Sequence, residues 1–193
     1  MSLVVSRPAR GPIGRALDRL YLAAGWLAGL FLLVIFGLMM ALSLGREVSL
    51  NIPAGDDFAA WSMAAMSFLG LAHTFKSGDM IRVGLLLERL HGRTKQALEV
   101  TSLAVGALAI GFFTYYAGAM TYDSWRFDDM SQGVVAVPLW IPQLGVLAGL
   151  TILLIAVLDE LAAVVAGHPP SYDRPPPSTP DEFVERVAQG GGV

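Results

Sequence analysis

The stretch LYLAAGWLAGLFLLVIFGLMMALSLG, Leu20 to Gly45, decides the fold: it is 26 residues without a charge, bounded by Arg19 and Arg46. At a helical rise of about 1.5 Å per residue, roughly 20 apolar residues cross a hydrocarbon core of about 30 Å, so this run is long enough to span a bilayer as one helix. Arg7, Arg10, Arg15 and Arg19 precede it in the manner of a signal-peptide n-region. Its apolar core far exceeds the roughly 7 to 15 residues of a signal h-region, which predicts an uncleaved anchor.

Three more runs follow the same logic. Phe58–Phe75 is shorter and rich in Ala, Met and Ser, as suits a helix packed against protein, and the runs 100–122 and 134–158 are uncharged and of spanning length. The whole chain of 193 residues is 54% hydrophobic and 15% charged, too apolar for a water-soluble domain of that size. The expectation is an all-α integral membrane protein with spans at about 20–45, 58–75, 100–122 and 134–158. A cytoplasmic segment (1–19) precedes this membrane domain (20–165), and a Pro/Gly-rich tail (166–193) follows it. There is no cysteine, which excludes disulfides, thiolate metal sites and cysteine nucleophiles.

Orientation follows from lysine and arginine placement. The N-terminal segment, the loop between spans two and three (Lys76, Arg82, Arg89, Arg93, Lys95) and the tail (Arg174, Arg186) hold nearly all the cations, whereas the other two loops carry only Arg46 and Arg126. Both termini are therefore expected in the cytoplasm. Trp61, Tyr122, Trp125 and Trp140 then fall near the outer interface, and Tyr21 and Trp26 near the inner one, as aromatic belts. The two outer loops carry Glu47, Asp56, Asp57, Asp123, Asp128 and Asp129, a surplus of negative charge that could steer a basic partner.

Between spans two and three, Met80, Val83, Leu87 and Leu90 recur at helical spacing, with Ile81 and Leu86 beside them, while Asp79, Arg82, Arg89 and Arg93 point largely elsewhere. This pattern predicts an amphipathic helix at about 79–92 lying in the inner leaflet. Its cations would meet lipid phosphates or a partner's rim, and its leucines the acyl boundary or another subunit.

The spans themselves contain no Asp, Glu, Lys or Arg, so no embedded carboxylate for ion coupling is visible. His73, His91 and His168 are not placed to face one another within a bundle as haem ligands, and no Walker loop, HExxH or GxSxG occurs. No catalytic, substrate-binding or metal-ligating set is expected in this chain, and nothing points to nucleic acid. Small residues are plentiful instead: Gly25, Ala28 and Gly29 in span one; Ala60, Ala64, Ala65 and Gly70 in span two; Gly106, Gly111 and Gly118 in span three. They permit close helix approach.

Taken in order, GDDFAAWSMAAMSFLGLA (Gly55–Ala72), the basic turn after it, MIRVGLLLERL (Met80–Leu90) and SQGVVAVPLWIPQLGVLAGL (Ser131–Leu150) resemble the small permease subunit of tripartite ATP-independent periplasmic (TRAP) transporters, over roughly residues 15 to 165. The family often has a His and an Asp flanking the residues after span two; Met80 and Gly84 stand at those positions here, so no role of that pair carries over. The resemblance implies a bacterial inner-membrane complex in which a periplasmic solute-binding protein delivers an organic acid or related solute to a large permease subunit driven by sodium. This chain would then be the scaffold, with sodium and substrate held on the large subunit and no cofactor of its own. Other classes fit the residues less well: a self-sufficient four-span transporter would need an intramembrane acid, and the anchor of a redox or signalling complex is the remaining alternative. The tail HPPSYDRPPPSTPDEFVERVAQGGGV, rich in Pro and Gly, is expected to be disordered apart from a possible helical turn capped by Thr179 and Glu182.

Overall fold

The computed structural model describes residues 12–48, 53–77 and 93–167, and these form four helices: α1 (Pro12–Glu47), α2 (Gly55–Ser77), α3 (Arg93–Arg126) and α4 (Trp140–Val165). All four are long and apolar enough to cross a membrane. The amphipathic segment at 79–92 and the tail from His168 onward lie outside the described residues.

Each helix departs from its apolar run for a physical reason. α1 and α3 continue into the flanking charged residues, because a backbone leaving the bilayer can keep its hydrogen bonds internal while side chains reach water or headgroups. α4 begins at Trp140, not Val134, so the expected start of the fourth span is corrected. Val134–Pro138 belongs instead to the loop between α3 and α4, in which Ser131 N–H donates to the Val137 carbonyl (2.8 Å) and Leu139 N–H to the Asp129 carbonyl (2.9 Å). Pro138 cannot donate a backbone bond, and Pro142 is tolerated because it falls in the first turn of α4, where no helical acceptor exists for its missing N–H. At its other end α4 stops at Val165, and Gly167, with a φ of 81°, turns the chain left-handed while the N–H groups of Ala166 and Gly167 bond back to the carbonyls of Ala162 and Val164.

In space the order is α1, α2, α4, α3: α2 packs on α1 and on α4, α3 packs on α4, and α1 meets α4 only lightly. Close approach rests on glycine and alanine, as membrane helices require. Ala24 and Ala28 of α1 pack with Leu69 of α2, and Gly25 leaves the space that the His73 ring fills, 2.8 Å from where a Cβ would stand. The tightest seam is α2 against α4. A Cβ on Gly149 would stand 2.5 Å from the Phe68 carbonyl carbon and 2.7 Å from the Leu69 nitrogen, and one on Gly145 would stand 2.7 Å from the Ala65 Cβ. Gly145 and Gly149 are spaced as G-x-x-x-G, a pattern the small-residue reading of spans one to three passed over. Gly29 and Gly106, by contrast, face open space.

These seams make a direct comparison. Gly149→Ala should destabilise the protein by about 1–3 kcal/mol, because the added methyl meets backbone that cannot rotate away. Gly29→Ala and Gly106→Ala should be neutral or slightly stabilising, since alanine is the better helix former. Thermal unfolding in mild detergent checks the difference; equal melting of all three variants would refute the close α2–α4 approach.

Candidate functional site

The polar residues of the bundle gather at the end where α2 finishes and α4 is in its last two turns. Lys76, in the last turn of α2, has a side chain only 9% exposed. Its Nζ donates to Asp159 Oδ2 at 2.5 Å and to Glu160 Oε2 at 2.8 Å, both on α4. Glu160 is fully buried, and the ring of Tyr21 from α1 lies 5.4 Å from the ammonium. α3 joins the same end through Gln96, whose Nε2 donates to the Val164 carbonyl at 3.3 Å, and through the buried Glu99. Around this polar group packs the larger apolar cluster, which includes Ala72, Phe75, Leu103, Leu153, Ala156 and Val157. All four helices are therefore tied at one end.

The sequence reading placed Lys76 in the basic loop after span two and Tyr21 among the interfacial belt residues. Both are corrected here: Lys76 is nearly buried and Tyr21 is 3% exposed. The uncharged runs remain uncharged, but the helices outlast them, and the charge sits in those extra turns. One signal was available. Asp159 and Glu160 form an acidic pair in the apolar context AVLDELAA, at the same end of the bundle as a lone lysine closing another span.

At the opposite end, Asp56 and Asp57 occupy the first turn of α2, where the helix dipole favours negative charge. The outer loop comes over that turn, bringing Gly133 against the Asp57 carboxylate with no room for a side chain. Asp123, Asp128 and Asp129 are exposed around the end of α3, with Asp128 at a positive φ of 51°. Of the expected outer acids, then, Asp57 is engaged by the loop while the other five, Glu47 included, are exposed. Below them a cavity of about 220 Å³ opens between α1, α2 and α4, walled by Phe31, Phe58, Trp61, Val137, Ile141 and Pro142. Its lining is almost wholly apolar, which suits a hydrocarbon chain and offers little to a charged solute. Among the described residues no group of three or more His, Asp or Glu is arranged to hold a metal ion. The six residues expected to form a partner or lipid interface, Met80, Arg82, Val83, Leu87, Arg89 and Leu90, lie outside the described residues.

A four-helix bundle of this kind, with a lysine bridging two carboxylates between helices at one end and an acidic loop at the other, is a multi-pass membrane component. The chain belongs to the family of the DctQ component of tripartite ATP-independent periplasmic transporters, whose model matches residues 35–167. That match spans the second half of α1 through the end of α4, and begins later than the residue 15 expected from sequence motifs. No curated protein and no solved structure matches the chain. DctQ components are the small subunits of TRAP transporters and work with a large permease and a periplasmic binding protein. The family places the chain in a transporter and not on a redox or signalling enzyme.

The ion cluster yields a stability test. Lys76→Met removes the ammonium that Asp159 and the buried Glu160 share and should cost about 1.5–3 kcal/mol, whereas removing the whole set in a Lys76→Met, Asp159→Leu, Glu160→Leu variant should restore part of the loss. Melting curves of the two variants in detergent decide it; a triple variant no more stable than the single one would mean that the acids serve something other than the lysine.

Proposed function

We propose that this chain is the scaffold subunit of a sodium-coupled TRAP system for an organic acid or related solute, holding the fixed part of the large permease in the bacterial inner membrane. The DctQ match over residues 35–167 carries this reading. It is supported by the way the bundle uses its charge: Lys76 pairs with Asp159 and Glu160 across the α2–α4 seam. In this reading sodium and solute bind on the large subunit. The segment 79–92 lies along the inner leaflet, with Val83, Leu87, Met80 and Leu90 against lipid or the large subunit and Arg82 and Arg89 toward phosphates. The outer acids Asp56, Asp57, Asp123, Asp128 and Asp129 help to steer a basic edge of the binding protein.

One reconstitution tests these assignments together. Vesicles holding this chain alone should show no solute uptake, and uptake should require the large subunit, the binding protein and an inward sodium gradient; flux through the lone chain would refute the scaffold role. In the complete system, Val83→Glu with Leu87→Glu should lose assembly, while Arg89→Glu alone should cost under about 1 kcal/mol. Changing Asp123, Asp128 and Asp129 to Asn should slow uptake at limiting binding protein and recover when more is added. Uptake indifferent to salt and to binding-protein concentration would leave the acids without a docking role.

Orientation has its own test. Reporter fusions near Gly92 and at Asp173 should read cytoplasmic, and fusions near Asp56 and Asp129 periplasmic. Inverted signals would place the acidic loops on the wrong side for a periplasmic partner.

A further inference from the structure

α3 turns one stripe to α4, through Leu103, Ala107, Gly111 and Gly118, and leaves its opposite face uncovered. That uncovered face differs from the other large free surface of the bundle. On α1 the exposed side chains include Leu30, Leu33 and Phe36, pure hydrocarbon, as lipid tails accept. On α3 the free stripe runs through Leu108 and Phe112 to Tyr115 and Tyr116, which are 71 and 56% exposed. These two tyrosines are not belt residues. Tyr115 lies seven positions before Tyr122, or about 10 Å deeper at helical rise. Helical side chains lean toward the N-terminus of their own helix, which on α3 is away from Tyr122 and toward the middle of the span. The Tyr116 ring does so visibly, leaning on Phe112 one turn earlier in a tilted contact with ring centres 4.5 Å apart, and Tyr115 packs edge-on against Tyr116 at 5.4 Å.

A phenol aimed into hydrocarbon needs an acceptor, because no water is available there and an unpaired hydroxyl carries a desolvation penalty. Among the described residues neither hydroxyl meets one. Resting on the proposed function, we infer that the Phe112–Tyr115–Tyr116 face of α3, and not the leucine face of α1, seats the large permease subunit, through a membrane helix that offers hydrogen-bond acceptors to the two tyrosyl hydroxyls. The acceptors would be hydroxyl or amide side chains, or main-chain carbonyls freed at a helix break, since those are the groups that accept at membrane depth. The α1 face, whose exposed donor Trp26 sits at the interface and whose deeper side chains are Leu30, Leu33 and Phe36, is left to lipid.

The test uses the assembled complex. A photoreactive benzoyl-phenylalanine, close in shape to tyrosine, is placed singly at Tyr115, Tyr116 or Leu33, and the cross-linked partner is identified by mass. Cross-links to the large subunit from positions 115 and 116, with none from 33, are the expected result. Tyr115→Phe with Tyr116→Phe keeps both rings and removes only the hydroxyls, so it should leave the melting of the lone chain unchanged. The large subunit should then be retained about five- to tenfold less well in mild detergent, the loss expected for two membrane hydrogen bonds. Retention at the wild-type level overturns the inference, as do cross-links from Leu33 alone, to a second copy of this chain, or only to lipid. In each of those cases the large subunit still co-purifies with the wild type and the proposed function stands. Failure of the wild-type chain to hold any large subunit would defeat the proposed function itself.

Discussion

The arrangement depends on a single lysine. Lys76 closes α2 and reaches α4, where two consecutive carboxylates converge on its ammonium and one of them, Glu160, is wholly buried. Each of these ions would be costly alone in so dry a place; together they hold α2 and α4 in one register, because a slide of one turn would part them by about 5 Å. That register is the one in which Gly145 and Gly149 come to lie against Ala65, Phe68 and Leu69. Packing and charge thus specify the same seam, the charge by direction and the glycines by distance.

From that central seam the outer helices take their places. α1 leans on α2 through Ala24, Gly25 and Ala28, and its Tyr21 covers the lysine; α3 leans on α4 through Leu103 and Ala107, and its Gln96 donates to the Val164 carbonyl near the end of α4. The result has a two-helix middle and two flanking helices, each with a broad face turned away. For a DctQ component this is a suitable shape: the bundle is bonded to itself at one end and along its centre, and what remains outside is surface. The scaffold role proposed above would draw on both, rigidity in one part and free area in another.

Much of this was legible in the chain. Apolar runs bounded by Arg19, Arg46 and Arg126 announce spans because the cost of a charge in hydrocarbon is large and local, and the order of the motifs around Asp56, Met80 and Pro138 pointed to the family. The ends of the helices were not legible, because an uncharged run reports where the lipid is, whereas a helix ends where its backbone finds other partners. α4 starts late for that reason, after Ser131 and Asp129 have organised the loop before it. Lys76 was misread for a related reason: a cation at the end of a span satisfies the positive-inside pattern equally well pointing outward or inward. Only its position relative to Asp159 and Glu160, more than eighty residues away in the chain, separates the two.

The separation of 83 residues between Lys76 and Asp159 also orders the making of the protein. α2 is the least apolar of the four spans, and until residue 160 has been synthesised the lysine at its end has neither acid to meet. During that interval α1 and α2 can exist only as a hairpin held by small residues, with the tight groove at Phe68 and Leu69 open to lipid. α3 enters the bilayer before the helix that will hold it there. The last span to be made is therefore the one that joins α3 to the α1–α2 pair, and a ribosome stalled before it leaves α3 without its packing partner.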